Sequence, residues 1–401
     1  MARTSPDPVA PPAQRWDYLD QLRAILMLVG IPYHVGLIYA SHAAWIIDSP
    51  DESMLVTGFL QFSHTFRMPV FFLLAGFFSM LMIRRQGVGR WFQGRLWRVG
   101  VPLLTSLLLI SPLIVLATAT AQGGFGYALA GLLAEARHPT ENWTVHLWFL
   151  IYLLAYCGLL ALVWQMRGPL RLEWAIGAAQ DALERRPWLG WLGLFGLGIA
   201  TLGTAVVAAA LEASYLLGNI MIPALFMADL LVFLAGALLA LRLSWLEHFT
   251  RPRPVIWVLA VVAATVMSVT QPEETAIARI VTYFLMPIVG VLAAHVLFSA
   301  ARMWLDRSTA FSREMVQGAM SMYLVHVVFV CWLGLAFLYV PLPALVEFAL
   351  ITVVAFAASW GFHRLVRRSP LLALLFNGVR PAVRAPTLAA APGQVRGNEA
   401  S

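Results

Sequence analysis

The chain has 401 residues, 60% of them apolar and only 12% charged, with a mean hydropathy of +0.78. Soluble domains keep about a quarter of their residues charged, so this composition excludes a soluble enzyme and describes a polytopic membrane protein. The net charge of +7 comes from arginine without a single lysine; these arginines sit between apolar segments, where they read as topology signals and phosphate contacts, not as a nucleic-acid surface.

Residues 1–14 are polar and proline-rich, with no cleavable leader before the first span, so they predict a disordered tail and a first helix that stays as an anchor. Ten apolar segments of spanning length follow, at about 17–40, 55–83, 98–120, 145–166, 189–212, 215–242, 254–271, 276–303, 313–338 and 342–364. The loops between them alternate in charge. Arg84, Arg85 and Arg90 follow the second segment, Arg167, Arg171, Arg185 and Arg186 the fourth, and Arg251 and Arg253 the sixth. Arg302 and Arg307 follow the eighth and Arg367 and Arg368 the tenth, whereas the other loops hold Asp48, Asp51, Glu52, Glu135, Glu141 and Glu273. The positive-inside rule then places both termini in the cytoplasm. The expected fold is all-α: a single bundle of about ten transmembrane helices over residues 15–368, with a disordered tail over 369–401. Residues 85–97 are short, basic and aromatic, which suits a helix in the cytoplasmic interface. The stretch 121–144 reads as the longest outer loop, packed over an outer opening. Cys157 and Cys331 lie inside apolar segments and indicate neither a disulfide nor a thiolate metal site.

Ionisable residues inside the spans carry the functional signal, because such groups are costly in lipid. The first segment holds Asp20, Arg23 and His34. Arg23 and His34 are three helical turns apart, on one face and separated by roughly 16 Å; either Arg23 snorkels and His34 bonds a neighbouring helix, or both face a site. The second segment places His64 and Arg67 one turn apart, just before Pro69 and close to mid-membrane. Arg67 belongs either to a structural ion pair, with Asp229 or Glu347, or to an anion site. Arg95 and Arg98 share a helix face at the cytoplasmic end of the third segment, as membrane anchors or as a phosphate clamp. His146 and Trp148 open the fourth segment, His295 lies in the eighth, and Tyr323 and His326 lie in the ninth. No HExxH, Cys/His cluster or carboxylate cluster points to a metal, and no P-loop points to nucleotide hydrolysis.

The ordered set DQLRAILMLVGIPYH, HTFRMPVFFLLAGFF, FQGRLWRVGVP, HLWFL and YLVH resembles the acyltransferase-3 family of integral membrane acyltransferases, and within it a subgroup that succinylates glucans. The likeness covers about residues 15–368; it departs at Ala75, where the family's FFxxSGF motif usually has serine. It implies transfer of an acyl group, succinyl or acetyl, from cytoplasmic acyl-CoA to a hydroxyl of a glycan or glycolipid at the outer face of a bacterial inner membrane. The implied roles are His34 as general base or as carrier of the acyl group, Arg23, in the same motif with Asp20, guiding the donor inward, Arg95 and Arg98 on the coenzyme A phosphates, and His64 and Arg67 on the acyl carbonyl or a distal carboxylate. Tyr323 and His326 orient acceptor or imidazole, and the acceptor approaches near Trp143, His146 and Trp148. The partners implied are acyl-CoA, the acceptor, the bilayer and a glycan-synthesis protein, with no tightly bound cofactor. The alternative is a transporter or flippase for a small anion or glycolipid using the same arginines, although no internal repeat is visible. A sensor or scaffold without chemistry is a third reading.

Overall fold

The computed structural model describes residues 16–41, 45–169, 171–217, 220–273 and 275–380. The tail expected over 1–14 and the last 21 residues lie outside the described residues. The rest is 81% helical without a strand, as apolar segments must be when lipid offers no partner for a backbone N–H or C=O.

In chain order, the first expected span is two short helices, α1 (Asp17–Leu28) and α2 (Gly30–Gly36). Pro32 has no N–H to return to the Leu28 carbonyl, which interrupts the ladder beside Val29. Next come α3 (Met54–Gln86) and α4 (Val88–Arg95), the latter continuing through a π-helical turn over Leu96–Gly100 into α5 (Val101–Leu109) and α6 (Ser111–Gly123). They are followed by α7 (Phe125–Arg137), α8 (Glu141–Thr144), α9 (Trp148–Gln165), α10 (Leu172–Arg185) and α11 (Leu189–Ala210). The chain closes with α12 (Pro223–Leu239), α13 (Leu243–Phe249), α14 (Pro254–Thr270), α15 (Ala276–Trp304), α16 (Ala310–Phe337), α17 (Ala344–Arg368) and α18 (Pro370–Asn377).

Seven helical stretches are long and apolar enough to cross a membrane: α3, the run Val88–Gly123, α9, α11, α15, α16 and α17. The pair α12 and α13, bent by 116°, makes an eighth if counted as one span. Two of the ten expected segments fall short of a full span, the first because of its break and α14 because it has only 17 residues. That both termini face the cytoplasm is an expectation from the arginine pattern of the loops alone. At the bend, Arg242 bonds Glu184 at 2.6 Å and Asp181 at 2.9 Å on α10, and this hydrogen bond holds the Glu184 carboxyl below the ordinary carboxylate range.

Two expectations are corrected. Residues 125–137 form a helix, not a loop: Gly124, at φ +74°, turns the chain so that α7 folds back on α6 with Tyr127 against Gly123 and Gly131. The tail is ordered over 370–377. The Ser369 hydroxyl caps α18 by accepting from the Leu372 N–H at 3.3 Å, Phe376 is buried against the ring of Phe362, and Gly378 lies against the backbone of Trp97 and Arg98 in the π-helical turn. The apolar run LLALLF is what seats it.

The centre of the bundle is α3. In its most apolar stretch 78% of residues are buried, mainly under α12 and α15. Helices with no hydrophobic drive to associate in lipid need close backbone contact, and two glycines permit it here: a Cβ on Gly76 would strike the Phe233 carbonyl of α12, and one on Gly236 the Leu73 carbonyl of α3. Both contacts are with backbone, which has little room to yield. Gly236→Ala is expected to cost about 1–3 kcal/mol through overpacking, read as a lowered melting temperature of the detergent-solubilised protein; an unchanged melt would show that the two helices do not touch there.

Candidate active site

The break between α1 and α2 sets His34 inside the bundle, where three histidines from three separate parts of the chain converge. His34 and His326 (α16) have ring centroids 4.9 Å apart, and His146, in the turn between α8 and α9, lies 6.0 Å from the first and 5.2 Å from the second. All three are buried. Val145, just before His146, takes φ +41°, an unfavourable conformation for a β-branched residue that turns the imidazole inward.

Hydrogen bonds settle which nitrogens carry protons in the neutral rings. Nδ1 of His326 lies 2.6 Å from the Tyr323 carbonyl and Nδ1 of His34 lies 2.7 Å from the Gly30 carbonyl; a carbonyl only accepts, so both nitrogens are protonated. Nε2 of His326 is then an acceptor, and at 3.0 Å it shares the His34 Nδ1–H with Gly30. Nε2 of His34 keeps its lone pair and makes no hydrogen bond among the described residues. His146 donates from Nε2 to the Leu324 carbonyl at 3.3 Å and accepts nothing at Nδ1, while its own carbonyl accepts from the Tyr323 hydroxyl at 2.5 Å.

Arg67 joins this cluster and is only 6% exposed. Its guanidinium carbon sits 4.2 Å from the centre of the Tyr33 ring, and the Tyr33 hydroxyl bonds His64 Nδ1 at 2.8 Å. A Cβ on Gly30 would come 2.9 Å from Nη1 of Arg67. The structural ion pair considered for Arg67 is absent among the described residues. Glu347 is occupied by the Tyr39 hydroxyl at 2.7 Å and the Leu342 N–H at 2.6 Å, both oxygens of buried Asp229 bond nothing, and Nε of Arg67 has no partner.

A second group gathers Arg23, Arg95 and Arg98. Arg23 pairs with Asp20 at 3.2 Å and lies over the Phe78 ring; Arg95 reaches the Ser79 hydroxyl at 3.5 Å. The three guanidinium charges are within electrostatic reach of one another. Arg98 belongs to the π-helical turn, a distortion common at functional sites. Thus Asp20 and Arg23 mark one end of the first helical segment and His34 the other.

Trp148 stays apart from both groups, edge-on to Tyr152 at 5.1 Å, and His295 packs against Phe249. No set of three or more His, Cys, Asp or Glu side chains among the described residues is arranged to hold a metal. The sequence reading passed over Tyr33, Gly30 and Trp45, whose ring lies 6.2 Å from that of His34. For the first two a signal existed, since Tyr33 adjoins His34 and Gly30 stands one turn before it in GIPYH.

These contacts separate polar groups that hold the fold from one that does not. Arg67→Met is expected to leave the melting temperature unchanged or raise it, because no buried carboxylate depends on that charge. Tyr39→Phe removes a donor from buried Glu347 and should cost about 1–3 kcal/mol; equal losses in both variants would restore the structural reading of Arg67.

An acyltransferase domain profile matches residues 16–364, which include both groups. The proteins named glucans biosynthesis protein C from Escherichia coli strain K12 and from strains O1:K1 / APEC and O9:H4 are each 40% identical over 146 residues, 36% of this chain and 37% of theirs. The match therefore spans little more than a third of these curated relatives. No solved structure matches the chain. With a family match over most of its length and several helices long and apolar enough to cross a bilayer, the chain belongs to the acyltransferase-3 family.

Proposed function

We propose that the protein transfers a succinyl or acetyl group from cytoplasmic acyl-CoA to a hydroxyl of a glycan or glycolipid at the outer face of the bacterial inner membrane. The observation that carries this reading is Nε2 of His34, an imidazole lone pair with no hydrogen bond among the described residues, in a buried ring near a guanidinium that no carboxylate among those residues compensates. Imidazole suits the base because its ordinary pKa lies near working pH. The acceptor O–H gives its proton to Nε2 as its oxygen attacks the thioester carbonyl carbon. When the C–S bond breaks, the imidazolium returns that proton to the departing coenzyme A thiolate.

His326 positions the base by accepting from its Nδ1–H, with the Gly30 carbonyl fixing the same tautomer. Arg67, with a free Nε, is suited to the carbonyl oxygen as negative charge builds there, or to the distal carboxylate of a succinyl donor, with His64 close by. Arg95 and Arg98, joined by Arg23, form the cation group for the coenzyme A phosphates, roughly 16 Å along the helix from His34. The name of the relatives favours a glucan as acceptor, supplied by a separate glycan-synthesis protein.

Mass spectrometry of envelope glycans from cells with and without the gene tests this directly: ester-linked acyl groups should vanish with the gene, and an unchanged profile would overturn the reading. His34→Ala should lower ester formation by about 10²–10⁴-fold, the span of general base catalysis, while acyl-CoA still binds; a transporter would lose substrate movement with no ester formed by either protein. Arg95→Ala and Arg98→Ala should each raise the KM for acyl-CoA by about 10–100-fold, as expected for a lost charge-assisted hydrogen bond, and leave the acceptor KM alone.

A further inference from the structure

A cavity of about 160 Å³ lies between the end of α2, the first turns of α3 and the turn joining α14 to α15. Its polar lining comprises Tyr33, Ser41, Thr57, Gln61, His64 and Gln271. We infer that this cavity is the acceptor port, and that it takes one neutral, hydroxyl-bearing sugar unit of the glycan; the inference rests on the acyltransferase reading above.

Four observations carry it. Thr57, Gln61 and His64 stand at i, i+4 and i+7 and so form one polar stripe along α3. The stripe is confined to the first half of the helix, and the next turns read FFLLAGFF. The Gln61 and Gln271 side chains are half-buried and make no hydrogen bond among the described residues, and neither does Nε2 of His64. Each free amide offers two donors and an acceptor, which matches the alternating donor and acceptor character of neighbouring hydroxyls.

The lining holds no Arg, Asp or Glu. The charged donor has its cations elsewhere, at Arg67 and at the arginine group, so a neutral polyol is the ligand that fits. The volume lies below the roughly 300–1,000 Å³ of sites for drug-sized ligands, room for one ring with the rest of the chain outside.

The cavity also abuts the reacting groups, with one tyrosine between. Its floor is the Tyr33 hydroxyl bonded to His64; the Tyr33 ring carries the Arg67 guanidinium on its face and meets the His34 ring edge-on at 5.4 Å. Aromatic rings pack on His34 from elsewhere as well. Trp45 lies over it, in a loop tied back by the Ser49 N–H on the Ile38 carbonyl at 2.9 Å, and His146 is sealed against Tyr323. The acceptor is thus drawn away from the Trp143 and His146 side that the sequence suggested.

The test uses the full-length protein in proteoliposomes, with radiolabelled succinyl-CoA or acetyl-CoA as donor and a linear gluco-oligosaccharide as the acceptor probe. Gln61→Met and Gln271→Met keep side-chain length and remove the hydrogen bonds. Together they are expected to raise the KM for the oligosaccharide at least tenfold while the KM for acyl-CoA stays within twofold, and thermal melts check that the variant is folded. An oligosaccharide KM that does not move while the wild-type protein is active would overturn the port alone. A rise in both KM values by the same factor would do so too. A wild-type protein that transfers neither acyl group would overturn the port together with the acyltransferase reading.

Discussion

A guanidinium buried in the bundle without a carboxylate is the constraint around which the rest of this structure is arranged. Placing arginine at such depth costs about 2.5–3.5 kcal/mol even on lenient scales, and a neighbouring acid would be the simplest compensation. The protein uses an aromatic face instead, the Tyr33 ring at 4.2 Å from Arg67. A desolvated contact of that kind contributes about 2 kcal/mol, enough to hold the group without neutralising it. Several local features then follow. Gly30 leaves room for Nη1, the break between α1 and α2 sets Tyr33 and His34 side by side, and α3 must sit at the centre of the bundle to keep Arg67 from lipid. The central seat of α3 depends in turn on Gly76 and Gly236, which let α12 lie directly on its backbone.

What the sequence revealed and what it hid divide along the same line. Apolar runs broken by arginine are a direct record of the lipid environment, so the all-α class and the positions of the helices were legible, as were the buried His34, Arg67, His146 and His326. Lipid penalises a lone charge but says nothing about what relieves it. Asp229 and Glu347 were the natural partners to name for Arg67, and neither serves, because Glu347 is held by Tyr39 and Leu342 while Asp229 bonds nothing. Tyr33 adjoins His34 in the sequence, but its role under Arg67 was hidden, since an aromatic residue in an apolar segment reads as ordinary packing. Crossing number was hidden for a different reason. Pro32 divides a segment whose hydropathy alone is continuous, and α14 stops at 17 residues within a segment that reads as a span. The helices at 125–137 and 370–377 were obscured by glycine, serine and proline at their ends, which set the turns and caps of those helices and do not unmake them.

Separating the two groups of site residues is a property of the first helical segment. Asp20 and Arg23 lie near its start and His34 at its end, so one element fixes the distance between the arginine group and the histidines. The arginine group is in turn braced from outside the first segment. Arg95 and Arg98 flank and enter a π-helical turn, and the short C-terminal helix places Gly378 against the backbone of that turn and Arg380 over the Trp97 ring at 4.0 Å. A guanidinium group exposed at the end of a helix would otherwise sample many rotamers, and bracing the backbone beneath it narrows that freedom.

The partner of His34 carries the last consequence of the uncompensated charge. A base that must abstract a proton needs its ring oriented, and a carboxylate on Nδ1 is the familiar means. Here a carboxylate at that position would lie close enough to Arg67 to pair with it and cancel the field the site depends on. A second imidazole accepts the same N–H at 3.0 Å and carries no charge, and the Gly30 carbonyl accepts it at 2.7 Å on equal terms. Orientation is thereby supplied by neutral acceptors, and among the described residues the full charge facing the base is the guanidinium. In the proposed transfer that arrangement has a price in lifetime. The imidazolium that forms is held by these two neutral acceptors and by no carboxylate among the described residues, so the proton passes promptly to the departing thiolate, and proton return and C–S cleavage become linked events at one nitrogen.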